Sequence, residues 1–220
     1  MGIINEYFDK IYCINLDRRE DRWIENCLPQ FKTLGMEVER FSACDGKVEV
    51  NLGYGVVYNA ELAGTISHLK AIKKAKEDGV EKLLLLEDDV VFDNNVNEIF
   101  TEHIKNTPKE WDILFFGGNH VGGMNSVAGG VVKLNGSYAI HACGIKNTAF
   151  DIMILHLERS IDKVMDSRVR LTPSVAADYF LAQLHRSLGV YCFIPHLAWQ
   201  KDGHSDIQGA YMDYNFLKKH

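Results

Sequence analysis

Lys82-Leu83-Leu84-Leu85-Leu86-Glu87-Asp88-Asp89 passes, within one residue, from four consecutive leucines to three consecutive acids. A short continuous apolar run of this kind predicts a central strand over residues 82–86. The acids then stand where that strand ends, and in open α/β sheets ligands bind beyond the carboxyl ends of the strands. Three adjacent carboxylates repel one another and resist desolvation, so a cation is their natural partner. Together with diphosphate oxygens they would make a hard, oxygen-rich site suited to Mg²⁺ or Mn²⁺. A solvated acidic turn is the ordinary fate of a charge run, but four leucines directly before it argue for a built site. By itself the triplet serves sugar transfer and phosphoryl transfer equally well.

Working outward, residues 11–16 predict a short buried strand, and Asp17 is placed to cap a helix over 18–31. Trp23, Cys27, Leu28 and Phe31 share one face of that helix, and Pro29 should kink or end it. A strand over 38–43, a turn at Asp45-Gly46 and a helix over 60–76 ended near Gly79 follow. Beyond the triplet come a helix from 94–95 to about 105 and a strand over 111–116. A flexible stretch over 117–130 then carries six glycines. Strands near 131–134 and 137–145, helices near 148–157 and 174–187, a strand over 190–194 and an aperiodic tail over 195–220 complete the chain. Alternation of strand and helix in the first half argues for a mostly parallel α/β sheet flanked by helices. The economical organisation is one domain with two halves, about 1–116 and about 117–220. The run Gly117-Gly118-Asn119-His120-Val121-Gly122-Gly123 lacks GxGxxG and Walker spacing, and reads as a loop that could close over a reactive ligand.

Composition narrows the classes. Hydrophobic residues make up 46% of the 220, charged residues 25%, and the net charge is -6. No Lys/Arg block extends beyond Lys73, Lys74 and Lys76, so the footprint of a nucleic-acid binder is absent. Cys13, Cys27, Cys44, Cys143 and Cys192 are scattered, odd in number and without CxxC spacing, which favours buried reduced thiols. No apolar run approaches the ~20 residues of a membrane span, and residues 1–10 lack a signal-peptide pattern. The expectation is a soluble, cytoplasmic protein with no membrane span.

Several segments taken in order resemble glycosyltransferase family 25, which includes lipopolysaccharide-biosynthesis galactosyltransferases and collagen β-galactosyltransferases. They are Ile14-Asn15-Leu16-Asp17 with Arg18, Arg19 and Arg22; Phe41-Ser42-Ala43-Cys44-Asp45-Gly46; Gly64-Thr65-Ile66-Ser67-His68; and Leu85-Leu86-Glu87-Asp88-Asp89-Val90. Trp111-Asp112-Ile113-Leu114, His141-Ala142-Cys143-Gly144-Ile145, Asp178, Gln200 and Ser205-Asp206-Ile207 continue the series. The resemblance implies a GT-A type fold, a Rossmann-like donor half fused to an acceptor half. It further implies a UDP-sugar donor, with galactose or glucose as the sugar, Mn²⁺ as cofactor, and a glycan or hydroxylysine-type acceptor. Cys143 and Gly144 stand where the family often has an aromatic pair, a departure on the acceptor side.

With that frame, roles can be assigned. Side chains alternate along a strand, so Glu87 and Asp89 would share a face. Asp89 is the first expected metal ligand, with Glu87 or Asp88 touching the metal or the donor ribose. His204, in a polar glycine-bearing tail, could fold back as a further ligand or remain an exposed loop histidine. Asn15, Asp17 and Arg18 close the first strand and could hold base and ribose, with Arg18 or Arg22 pairing with phosphate. Equally, the arginines could lie on a solvated helix face. Asp45 could sit near the nucleotide or merely turn the chain, and Ser67 and His68 could contact the donor or serve structure within their helix. Asp178, flanked by apolar residues, could act as a general base on the acceptor hydroxyl, giving inversion, or cap a helix. The competing classes are a metal-dependent phosphohydrolase or nucleotidyltransferase, and a catalytically inactive nucleotide-sugar-binding domain.

Overall fold

The computed structural model describes residues 2–51, 56–166, 174–207 and 209–218. Its architecture follows from the leucine run. In β3 (Lys82–Glu87), Leu83 and Leu85 enter one hydrophobic cluster while Leu84 and Leu86 enter another. A strand apolar on both faces needs cover on both. β1 (Lys10–Asn15) divides its side chains likewise, Tyr12 and Ile14 against Ile11 and Cys13.

β1 lies between β2 (Glu39–Ser42) and β3, parallel to both, with Tyr12 opposite Glu39 and Ile14 opposite Glu87. After α1 (Ile3–Tyr7) and β1, a 3₁₀ turn (Asp17–Arg19), α2 (Glu20–Arg22), a π turn (Trp23–Cys27) and α3 (Leu28–Leu34) lead to β2. Cys27 and Phe31 pack this segment on one face of the sheet. Pro29 does not end the helix. It has no N–H for the Glu25 carbonyl and its ring would collide with that group, so a wider π turn precedes it. The helix then runs on to Gly35, left-handed at φ 64°. Asp17 makes no cap hydrogen bond; its carboxylate instead accepts from Ser42 Oγ at 2.7 Å.

Between β2 and β3, α4 (Val56–Glu77) packs Leu62, Ala63, Leu69, Ala71, Ile72 and Ala75 against the opposite face. The chain therefore leaves β1 to one side and returns to β3 on the other. The carboxyl ends of β1 and β3 form the point where strand order reverses, the place such sheets use for ligands.

The remaining strands extend the sheet in the order β2-β1-β3-β8-β5-β9-β7-β6. They are β5 (Ile113–Phe115), β6 (Asn119–Ala128), β7 (Val131–Tyr138), β8 (Ala142–Lys146) and β9 (Val190–Phe193). Pairing makes β7 and β8 run against the others, so the sheet is mostly parallel in direction. Helices α5 (Val96–His103), α6 (Asn147–Met165) and α7 (Ala177–Leu181) complete the layers. This is an α/β arrangement, a Rossmann-like half around β1 to β3 continued by a half of mixed strand direction.

The glycine-rich stretch is not a loop. Most of it is β6, paired antiparallel with β7. Gly122 and Gly123, at φ 75° and 88°, occupy a register shift, and Gly129-Gly130 turn the hairpin. Glycine carries no strand propensity, so a bulged strand rich in it reads as coil. What read as one strand over 137–145 is two, broken at Ala139, whose φ is 62°. All five cysteines are buried and free, and no helix among the described residues is long and apolar enough to cross a membrane.

The tail is ordered by the sheet edge. Leu197 and Ala198 N–H groups donate to the Phe116 carbonyl at 2.6 and 3.1 Å. β10 (Ala198–Gln200) then pairs with β4 (Val90–Phe92), placing Gln200 opposite Val90, and the Lys201 N–H donates to the Asp89 carbonyl at 2.7 Å. Gly117 allows this crossing, because a Cβ there would lie 2.0 Å from the Ala198 carbonyl oxygen. Gly117→Ala should lower stability in urea by roughly 1–3 kcal/mol or more, as overpacking does. Gly64→Ala, within α4 and with nothing within 4 Å of the added methyl, should gain up to ~1 kcal/mol. Equal midpoints for the two variants would contradict the crossing constraint.

Candidate active site

Each acid of the triplet has a different surrounding. Glu87 ends β3; its N–H donates to the His141 carbonyl at 2.9 Å, and Oε1 lies 3.0 Å from His68 Nε2 on α4. Burial tends to raise its pKa, but the bond to His68 and the nearby histidine charge outweigh it and hold the carboxyl below its ordinary value. Asp88 turns the other way. It accepts from Asn15 Nδ2 and from an Arg22 guanidinium nitrogen, both at 2.7 Å. Its carbonyl also accepts from Asn26 at 3.0 Å. Asp88 is thus consumed in fastening the π turn and the end of β1 to β3.

Asp89 differs from both. Oδ2 meets Gln200 Nε2 at only 3.4 Å, and Oδ1 is buried with no hydrogen-bond partner among the described residues. Burial, and then the charges of Glu87 and Asp88, push its pKa up to about 8. A buried carboxylate oxygen left without a donor is costly until a proton or cation reaches it.

Above the triplet opens a cleft lined by Ile14 near the end of β1, by Leu16 and Arg18 just after it, and by Ala43 to Lys47 after β2. Gly64, Ser67 and His68 of α4 form one wall, and Gln200, Ser205, Asp206, Ile207 and Tyr214 of the tail another. It brings together Arg18, Asp45, Ser67, His68, Glu87, Asp88 and Asp89 among the residues singled out in the sequence. Asn15 lies behind Asp88, buried, and also accepts from Arg40 at 2.7 Å. Asp17 stands outside, beside Ser42 and Arg40. Arg22 is half-buried between Asp88 and the His204 carbonyl rather than on a solvated face. Ser67 Oγ accepts from the Cys44 N–H at 2.9 Å and donates to the Ala63 carbonyl at 2.7 Å, so it binds the loop after β2 to α4. His204, on β11 (Gly203–His204), which pairs with β12 (Tyr211–Met212), is exposed and lines a separate groove with Arg22, Asp88 and Asp89.

Ion pairs close the tail over the end of β1. Arg18 binds Asp45 at 2.7 Å and Asp206 at 2.9 Å, and Arg19 also holds Asp206. At Asp206 burial is outweighed by the two arginines, which keep its carboxyl below the ordinary value.

A second cavity continues from the first, sharing His68, Glu87, Gln200 and Ser205, and Asp178 lies in its wall with Asn119, Tyr138 and Ala139. Asp178 sits in the first turn of α7. Its Oδ2 accepts from the Ala139 N–H at 3.0 Å and its Oδ1 from the Tyr179 N–H at 2.7 Å. Burial raises its pKa, partly offset by these donors. The left-handed Ala139 turn is thereby pinned by the same carboxylate that faces the cavity.

Lys47, His141 and Tyr214 were not singled out as site residues in the sequence. His141 is fully buried and pushed down to about 4 by burial, against the opposing charge of Glu87, so it is a neutral imidazole beside the acids. The sequence marks it only as the first residue of the segment His141–Ile145, without a role. It reaches Glu87 only because β8 inserts antiparallel between β3 and β5.

Comparison with known proteins places this geometry. Residues 8–120 match the model of glycosyltransferase family 25 (LPS biosynthesis protein), a span that includes β1, β2, α4 and the triplet. Procollagen galactosyltransferase 2 of Mus musculus is 28% identical over 130 residues, covering 50% of this chain and 21% of that protein. A glycosyltransferase 25 family member of Drosophila pseudoobscura pseudoobscura is 30% identical over 131 residues, covering 50% and 20%. The aligned part spans about a fifth of the length of these relatives. Solved structures resemble the chain distantly. A glycosyltransferase involved in glycosylation of the major capsid of PBCV-1 gives a TM-score of 0.42 at 12% identity, covering 76% of this chain and 70% of that one. Mouse xyloside xylosyltransferase 1 gives 0.43 at 11%, covering 86% and 71%. With just over half of its residues matched by the family model, triplet included, the chain belongs to glycosyltransferase family 25.

Proposed function

We propose that the chain is a metal-dependent glycosyltransferase that moves a hexose, galactose or glucose, from a UDP-sugar to a glycan or hydroxylysine-type acceptor, with inversion. The observation that carries this reading is Asp89, a buried carboxylate with an open oxygen at the end of the central strand, in the wall of a cleft that Arg18 and Lys47 also line. Carboxylate oxygens beside a diphosphate suit Mn²⁺ or Mg²⁺, with Asp89 and Glu87 as the holding pair and His204 as a third donor from the neighbouring groove. Such an ion, when bound, would balance negative charge on the diphosphate as its bond to the sugar breaks.

The chain's own residues supply the rest. Ile14, Leu16 and Ala43 offer an apolar wall for the base, Asp45 an acceptor for ribose hydroxyls, and Arg18 and Lys47 positive charge toward phosphate. Ser67 and His68 keep the α4 wall in place, His68 through Glu87. Asp178 takes the proton from the acceptor hydroxyl while that oxygen attacks the anomeric carbon opposite the departing UDP. Burial suits it to that task by raising its basicity.

Two variants separate the donor and acceptor sides. UDP with Mn²⁺ at ~100 times the dissociation constant should stabilise the wild type by roughly 2.7 kcal/mol. Asp89→Asn should lose that stabilisation. Asp178→Asn should keep it while transfer from UDP-galactose or UDP-glucose falls by ~10²–10⁴. Orthophosphate release in place of sugar transfer would assign the triplet to a phosphohydrolase. UDP binding with neither transfer nor hydrolysis would assign it to a binding domain.

The acid has its own pH signature. The folded chain holds Asp89's proton up to about 8, whereas the ordinary value is 3.8, so between these pH values the folded state binds more protons than the unfolded one. Stability in the presence of a chelator should therefore decline as pH rises from about 4 to about 8, and flatten above. Urea midpoints of the wild type and Asp89→Asn measure this. A slope that persists unchanged in the variant would place its origin elsewhere.

A further inference from the structure

Behind the acidic site, His120 of β6, Cys192 of β9 and His196 of the tail converge, with their ligand atoms all within 4.8 Å of one another. The two histidines face each other through Nε2, 3.0 Å apart. What lies on their far nitrogens decides what that contact is. His196 Nδ1 is 2.8 Å from the Leu217 carbonyl, which can only accept, so this nitrogen carries the proton. In the tautomer with its proton on Nδ1, His196 directs its Nε2 lone pair toward His120. His120 Nδ1 is 2.9 Å from Ser137 Oγ, whose own hydrogen is directed to the Tyr138 carbonyl at 3.1 Å. His120 therefore also donates through Nδ1 and also presents a lone pair at Nε2. Two lone pairs at that separation repel unless something electrophilic lies between them.

A metal answers this better than a shared proton, for three reasons. Imidazoles that bind metals are oriented by a hydrogen bond from the outer nitrogen to a carbonyl or similar acceptor, and both rings have one here. The 3.0 Å separation is a few tenths of an ångström below the ~3.3 Å between two nitrogens each ~2.0–2.1 Å from one tetrahedral zinc ion, so a small rotation of either ring would admit one. The third group is a thiol, a ligand that a proton does not need and a borderline metal prefers. Cys192 is buried, and its sulfur lies 3.3 Å from the next carbonyl, that of Phe193.

We propose that His120, Cys192 and His196 form a site for a borderline divalent transition metal of the zinc class, chemically distinct from the oxygen-donor site at Asp89. The three ligands come from the glycine-rich hairpin, a core strand and the start of the tail. One ion would join the hairpin and the tail to the core strand, and would fix the tail just before it supplies Gln200 to Asp89. The inference does not depend on the proposed transferase activity.

The test uses the full chain, with metal content measured after purification without chelator and after zinc titration. The wild type should hold about one zinc ion. Cobalt(II) in its place should give a sulfur-to-cobalt charge-transfer absorption that Cys192→Ser removes. His120→Ala, at a partly exposed position, should weaken zinc roughly tenfold or more, and chelation should lower the wild-type melting temperature but not that of this variant. Asp89→Asn should retain zinc, which separates the two sites. A wild type that takes up no zinc, or zinc retained unchanged by both Cys192→Ser and His120→Ala, would overturn the proposal. The histidine contact would then be an ordinary N–H···N bond, with the Ser137 hydroxyl turned toward His120.

Discussion

Three carboxylates at the end of one buried strand cannot share a single environment, and the way they divide it organises the molecule. Asp88 is neutralised from within by Arg22 and Asn15. Glu87 is held by His68. Among the described residues Asp89 receives neither an ion-pair partner nor more than the long Gln200 contact, and its buried oxygen remains open. Repulsion among like charges in a poorly solvated place is strong, so each arrangement constrains the others. Removing the Arg22 contact, for example, would leave two buried acids to be satisfied rather than one.

The same division explains why distant segments meet. Arg22 belongs to the helical stretch after β1 and also grips the His204 carbonyl in the tail. Arg18 and Arg19, from the same stretch, hold Asp206. The tail's first strand pairs with β4 immediately after the triplet. The cleft walls are therefore tied to the acids by ion pairs and main-chain bonds, and changes at the acids should be felt by the tail. The cavity at Asp178 adjoins this cleft, sharing His68, Glu87 and Gln200 with it.

Much of the frame was legible because it rests on local patterns. Four leucines specify a strand covered on both faces, and a β-branched, apolar run marks β1. Helical spacing marks α4, and the triplet's abrupt polarity marks the site. The rest depends on non-local pairing. The glycines of β6 suppress strand propensity, so only the partner β7 makes that segment a strand. β8 shows as apolar sequence but not as an antiparallel insertion, and that insertion is what brings His141 to Glu87. Arg22 looked free for solvent because its partner, Asp88, lies 66 residues away in the chain. Asp17 looked like a cap because its partner, Ser42, sits on a neighbouring strand.

Diffraction from crystals soaked with Mn²⁺ and UDP, recorded to reveal manganese by its anomalous scattering, tests the central claim most directly. The account predicts a manganese peak against Asp89 with the diphosphate on its other side, while Asp88 keeps its bonds to Arg22 and Asn15. UDP seated in the cleft without manganese at Asp89, or manganese bound only elsewhere, would contradict it.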